Sequence, residues 1–214
     1  MSCTAKQIVE RAKAWEGVKE GSKTHKEIVE VYNSHKPRAR GYKLKTSDPW
    51  CAGFVSACAI EVKAADICPI EVGCDKMIQK AKDLGIWKED ESITPKKGDF
   101  VFYDWEDNGK GNNKGGANHV GICISVDTKK KTFKVMEGNY DNKVKVRVLK
   151  FNAKYLRGFA RPKYKKESEV DLTAVAKAVI RGEYGNGATR KKKLEAAGYN
   201  FAEVQKIVNA MLKK

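Results

Sequence analysis

HVGICISVDTKKKTFKVMEGNYDNKVKVRVL, residues 119–149, decides the fold. Apolar residues recur in 119–126, 132–139 and 144–149 with the period of strands, and DTKKK and Tyr140-Asp141-Asn142 read as the turns between them. Consecutive strands with short turns make an antiparallel meander. Working outward, Asp99–Tyr103 is a further strand behind Pro95 and Gly98. It is joined to the meander by EDNGKGNNKGGAN (106–118), too rich in Gly and Asn for regular structure and expected to be an exposed loop. Before residue 95 the period is helical. Residues 4–15 place Ile8, Val9, Ala12 and Trp15 on one face behind Thr4, an N-cap residue. Weaker helical text covers 24–34, a basic irregular stretch covers 36–47, and another helix fits 74–84, closed by Gly85. Pro49 stands just ahead of AGFVSACAIEV, a buried helix that leaves Cys51 near its first turn. Helices followed by an antiparallel sheet give an α+β domain over 1–162.

KYKKESE (163–169) reads as a charged linker, and strand text is missing beyond it. Helical patterns over 170–181, 188–197 and 201–212 predict a small all-α three-helix bundle over 170–214. Lys and Arg number 43 against 27 Asp and Glu, a formal net charge of +16, with basic residues in both parts. Hydrophobic residues make up 41 %, too many for a disordered chain. No apolar run reaches the roughly 18 residues a spanning helix needs, so no membrane insertion is expected. The first residues carry charges throughout and lack the apolar core of a secretory signal, so the chain is expected to be made in a cytoplasm. The six cysteines (3, 51, 58, 68, 74, 123) are expected as free thiols. With no Cys-x-x-Cys, neither a metal site nor a cofactor is expected. A nucleic-acid partner is disfavoured, because the basic residues are dispersed and no stacking-aromatic motif accompanies them.

Cys51 stands apart from the other five by its place at a helix start, where unbonded N–H groups and the dipole favour a thiolate. The others read as small buried hydrophobes. A nucleophilic Cys needs a base, and the base needs an orienting partner. His119 opens a strand directly after the loop, whereas His25 and His35 fall on a helix that reads as exposed. Folding 119–126 back on 132–139 sets His119 opposite either Glu137 or Asn139. Both lie on its face of the sheet in either register, one opposite and one diagonal, where each could fix the imidazole tautomer.

Pro49-Trp50-Cys51-Ala52-Gly53-Phe54-Val55, Pro95–Val101, Asn118-His119-Val120-Gly121-Ile122 and Glu137-Gly138-Asn139 together resemble the CHAP domains of bacterial and phage cell-wall hydrolases, relatives of the NlpC-type papain-like peptidases. The resemblance covers residues 5–162. It implies Cys51 as nucleophile, His119 as base, Glu137 as the residue orienting it, and Asn139 as a further polar site residue. Some members carry a calcium loop of spaced acidic residues before the Cys; 36–48 offers only Asp48, so none is expected. Trp50, Asn118 and the 106–118 loop are expected to wall the substrate groove, with Tyr103 and Trp105 either lining it or packed in the core.

The tail resembles the short cell-wall-binding repeat of phage lysozymes and endolysins, in Arg181–Gly187, Arg190, Leu194, Ala197-Gly198-Tyr199 and Val208-Asn209. That resemblance implies peptidoglycan binding through Tyr184, Gly185, Asn186, Gly187, Arg190 and Tyr199. A single copy limits avidity unless the chain self-associates through the tail. The two resemblances together imply a phage or prophage endolysin that acts on the wall after release through a membrane pore. Its activity would be cleavage of a peptidoglycan amide, as an N-acetylmuramoyl-L-alanine amidase or as a stem-peptide or cross-bridge endopeptidase. A non-catalytic wall-binding protein is the rival reading.

Overall fold

A computed structural model describes residues 3–106, 115–165 and 172–212. Four helices come first: α1 (Ala5–Lys13), α2 (Lys23–Ser34), α3 (Cys51–Glu61) and α4 (Cys74–Asp83). Strands β1 (Trp87–Lys88), β2 (Phe100–Tyr103), β3 (His119–Asp127), β4 (Thr132–Tyr140), β5 (Lys143–Lys150) and β6 (Leu156–Ala160) follow, then α5 (Leu172–Ile180), α6 (Gly187–Ala196) and α7 (Phe201–Leu212). The architecture is α+β, with the expected meander β3-β4-β5 inside one antiparallel sheet ordered β1-β6-β2-β3-β4-β5. Sequence analysis missed β1 and β6. Both are short, and β6 carries Arg157 and Gly158 in place of an alternating pattern.

Thr4 caps α1 as expected, in a reciprocal box: its hydroxyl accepts from the Gln7 N–H while the Gln7 side chain accepts from the Thr4 N–H. Such a cap contributes about 1 kcal/mol. Helix α3 is apolar all round because it is enclosed all round: every residue from Cys51 to Ala59 is buried. Its neighbours are α1, α2, β3 and β4, so it forms the spine between the helical layer and the sheet. Gly138 permits that approach. A Cβ there would meet Phe54 at 2.5 Å and Trp50 at 3.1 Å. Any side chain would therefore push β4 away from α3, and with it Glu137 away from Cys51.

His25 departs from expectation. It is fully buried, its Nδ1 accepts from the Gly21 N–H, and its ring lies 4.5 Å from that of Trp50. Burial lowers its pKa, so the ring is neutral. The weak periodicity of α2 concealed this because the ring packs on an indole from a distant helix start.

In the tail, α5, α6 and α7 share a core of Val175, Ala176, Val179, Leu194, Val204 and Val208. The turn Ala197-Gly198 docks on α1, where the Gln7 side-chain amide donates to the Ala197 carbonyl at 2.9 Å. Among the described residues no helix is long and apolar enough to cross a membrane.

Candidate active site

Two helix starts and one strand start converge. Cys51 is the first residue of α3, Cys74 the first of α4 and His119 the first of β3. Cys51 is 6 % exposed and its Sγ lies 3.9 Å from the Cys74 Sγ. The pKa of Cys51 is lowered well below the ordinary thiol value by the hydrogen bond from the Cys74 thiol, by His119 and by the Ala52 N–H, against the opposing effect of burial. Cys74 moves the other way: as the donor to Cys51 in a buried setting, it keeps its proton. One anion is held between the two sulfurs, and the His119 side of the pair carries it. Burial pushes Cys3 and Cys123 up to about 12 and also raises Cys58 and Cys68, so these four are packed thiols.

His119 donates from Nε2 to the ionised Glu137 Oε2 at 3.0 Å, which leaves Nδ1 as the ring nitrogen not taken by the carboxylate. Burial works against the charged ring, but hydrogen bonds to Cys51 and Glu137 outweigh it and raise the imidazole to about 9. Glu137 is 0 % exposed. Burial alone would favour its neutral form; His119 and Arg147 reverse that and hold it ionised. Its remaining oxygen positions are also taken. Tyr103 donates its hydroxyl to Oε1 at 2.8 Å, and Arg147 Nε donates to Oε1 at 2.8 Å and Oε2 at 3.1 Å. A buried carboxylate with every partner a donor is fixed in position and charge.

The register explains which residue meets His119. Gly121 pairs with Glu137, which puts Asn139 nominally opposite His119 and Glu137 on the diagonal. A bulge between Glu137 and Tyr140 then turns Asn139 out of the ladder, at φ 59°. Among the described residues Asn139 shares no hydrogen bond with Cys51, His119 or Glu137, and its Oδ1 is buried without a partner. Gly121 keeps the diagonal open, since a Cβ there would meet the Glu137 Cγ at 2.7 Å.

Trp50, expected as a groove wall, is packed beneath the site, and Tyr103 takes the core alternative. Trp50 is fully buried, donating Nε1 to Glu20 at 2.9 Å and packing on His25 and Phe54. Tyr103 is buried as the Glu137 anchor, directly across the ladder from His119. Trp105, 38 % exposed, stacks on Tyr103 at 4.9 Å and lies 5.0 Å from the Arg147 guanidinium. Asn118 is exposed, and its Oδ1 accepts from the Trp105 N–H at 3.1 Å. It lines an open cavity with Arg40, Tyr42, Val72, Cys51 and Cys74. The Ala117 N–H donates to Asp75 at the start of α4, which ties the approach to His119 against that helix. Residues 107–114 of the expected loop lie outside the described residues.

Sequence reasoning missed Cys74, Asp75, Arg147 and the anchoring role of Tyr103. Arg147 and Tyr103 had a usable signal: neighbouring strands carry them on the face of Glu137. In the tail, Arg190 is committed to its own bundle, donating to the Gly185 carbonyl, Gln205 Oε1 and Asn186 Oδ1 at 2.8 to 3.1 Å. These bonds close the turn from Tyr184 to Gly187, in which Tyr184 packs against the bundle core. Tyr199 packs against the bundle core. Among the described residues no cluster of three or more His, Cys, Asp or Glu could hold a metal ion.

Comparison with known families assigns both parts. The CHAP domain model matches residues 41–139, and the CW_7 repeat model matches residues 173–212. No curated protein and no solved structure matches the chain. A CHAP domain implies cysteine-dependent hydrolysis of peptidoglycan on a papain-like fold, and the repeat implies binding to the cell wall. Residues 41–139 thus carry a CHAP domain and residues 173–212 a CW_7 cell-wall-binding repeat.

Proposed function

We propose that the chain hydrolyses the amide between muramic acid and the first L-alanine of peptidoglycan, with Cys51 as nucleophile, His119 as acid and base, and Glu137 as the residue that orients His119. The observation that carries this reading is a Cys51 thiol whose pKa is lowered by its neighbours Cys74 and His119, beside a His119 ring bonded at 3.0 Å to a fully buried, ionised Glu137. The Cys51 thiolate attacks the amide carbonyl. His119 delivers its proton to the departing amine, and the thioester that remains is hydrolysed by water activated through the same ring. The Cys51 N–H is one of the opening groups that a helix leaves unbonded, and in this reading it holds the oxyanion. Asn139, beside these three groups, supplies a polar flank. Asn118 and Trp105 border the approach of the substrate.

Residues 173–212 hold the enzyme on the wall, with Tyr184, Gly185, Asn186 and Gly187 as the contacting turn, Arg190 shaping it, and Tyr199 beside the junction with α1. A stem-peptide or cross-bridge endopeptidase would use the same three groups, and fragment masses separate the two. Amidase action on purified walls releases stem peptides with a free N-terminal alanine and leaves peptide-free glycan. Stem fragments still attached to muramic acid would move the cut into the peptide.

The charge state of the pair predicts the pH profile. His119 is the acid for the leaving amine, so its proton must be present. With the imidazole raised to about 9, turnover of soluble fragments holds through neutral pH and falls as pH rises through about 9. On the acid side the lowered Cys51 keeps the thiolate available at neutral pH. A rate that climbs through pH 9, as for an unassisted thiol, contradicts the ion pair.

A further inference from the structure

We infer that Cys51 and Cys74 form a peroxide-driven, thiol-reversible disulfide that silences the nucleophile, with Cys74 as the resolving thiol. Three observations carry it. The two sulfurs lie 3.9 Å apart, whereas a disulfide bond needs about 2.05 Å. Each thiol sits on the first residue of its helix, so the remaining gap of roughly 2 Å lies between two helix starts and not between helix interiors. Finally, both cysteines line the open cavity, while Cys3, Cys58, Cys68 and Cys123 are packed at 0 to 2 % exposure. Cys74 donates to the Cys51 thiolate and takes no covalent part in the hydrolytic cycle, so its sulfur is free to react with an oxidised Cys51.

The chemistry balances with peroxide as the oxidant. The Cys51 thiolate attacks one oxygen of hydrogen peroxide; an S–O bond forms, the O–O bond breaks and hydroxide leaves. Sulfur loses two electrons to give the sulfenic acid. The Cys74 sulfur then attacks that sulfur, the S–S bond forms, the S–O bond breaks, and hydroxide departs with the Cys74 proton as water. A dithiol reverses the step by exchange. Without Cys74 the sulfenic acid persists and further peroxide carries it to the sulfinic acid, which thiols do not reduce.

The inference rests on the catalytic reading only for its activity readout. The full chain is treated with hydrogen peroxide, assayed on walls, then treated with dithiothreitol and assayed again, beside Cys74→Ala and Cys74→Ser, each against its own untreated rate. The wild type should lose most of its activity and regain it, while both variants lose activity without recovery. Digestion of the oxidised wild type should give residues 46–63 joined to 64–76, lighter by two hydrogens, with fragmentation placing the bond at Cys51–Cys74 and not at Cys58 or Cys68. Absence of that linkage, or equal recovery in the variants, overturns the inference. The linkage is read from mass alone, so its failure is distinct from failure of Cys51 as the nucleophile, which would show as lysis by Cys51→Ala.

Discussion

Glu137→Gln should reduce turnover of a soluble wall fragment by about two to four orders of magnitude while leaving KM within a few-fold. The substitution conserves volume, so the effect is electrical and orientational. Every neighbour of the carboxylate is a donor: His119 Nε2, the Tyr103 hydroxyl and Arg147 Nε. A glutamine offers one acceptor oxygen and one NH2, and the NH2 must face a donor. If it faces His119, the ring turns over or adopts the tautomer with Nε2 as acceptor, and Nδ1 then carries its proton in the wrong state for the thiol. If it faces Arg147, a guanidinium is left short of its partner in a largely buried setting. Either arrangement removes the negative charge that helps keep His119 protonated to about 9. The alkaline limb of the pH profile should therefore shift to lower pH, which a purely structural lesion would not produce. A kcat within tenfold of wild type, with an unmoved alkaline limb, would mean that Glu137 does not orient the base.

Much of this site was legible because its signals are local. The start of α3 is marked by Pro49, and the apolar run behind Cys51 is well suited to a buried helix. Strand periodicity alone put His119, Glu137 and Asn139 on one face. It could not choose between the two partners, because the choice depends on a bulge between Glu137 and Tyr140 that leaves no mark in the hydrophobic pattern. Trp50 read as a groove wall because a Trp beside a nucleophile is a natural substrate contact; the partner that draws it inward, Glu20, lies in a turn before α2. Cys74 was hidden for a different reason. Its approach to Cys51 depends on the irregular segment after α3, pinned where Ser56 Oγ bonds both backbone groups of Glu71. No periodicity encodes such a path. Tyr103 was the avoidable miss, since pairing the strand text at 99–103 with that at 119–126 brings its ring beside His119.

Cys51→Ala carries the largest expected effect. Removing the sulfur removes the attacking atom, and neither His119 nor the helix-start N–H can replace it. The loss should be about four orders of magnitude or more in kcat, leaving only what binding and the oxyanion contact contribute. Folding should survive, because alanine at the first position of α3 suits a helix and the vacated volume is one sulfur beside an open cavity. Wall binding should survive too, since the proposal assigns it to the CW_7 repeat at residues 173–212. The decisive measurement is turbidity of a purified wall suspension, with co-sedimentation and circular dichroism run on the same preparation. The account predicts that Cys51→Ala is folded, sediments with the walls as the wild type does, and clears none of the turbidity. A folded, wall-bound variant that still clears the suspension would contradict it.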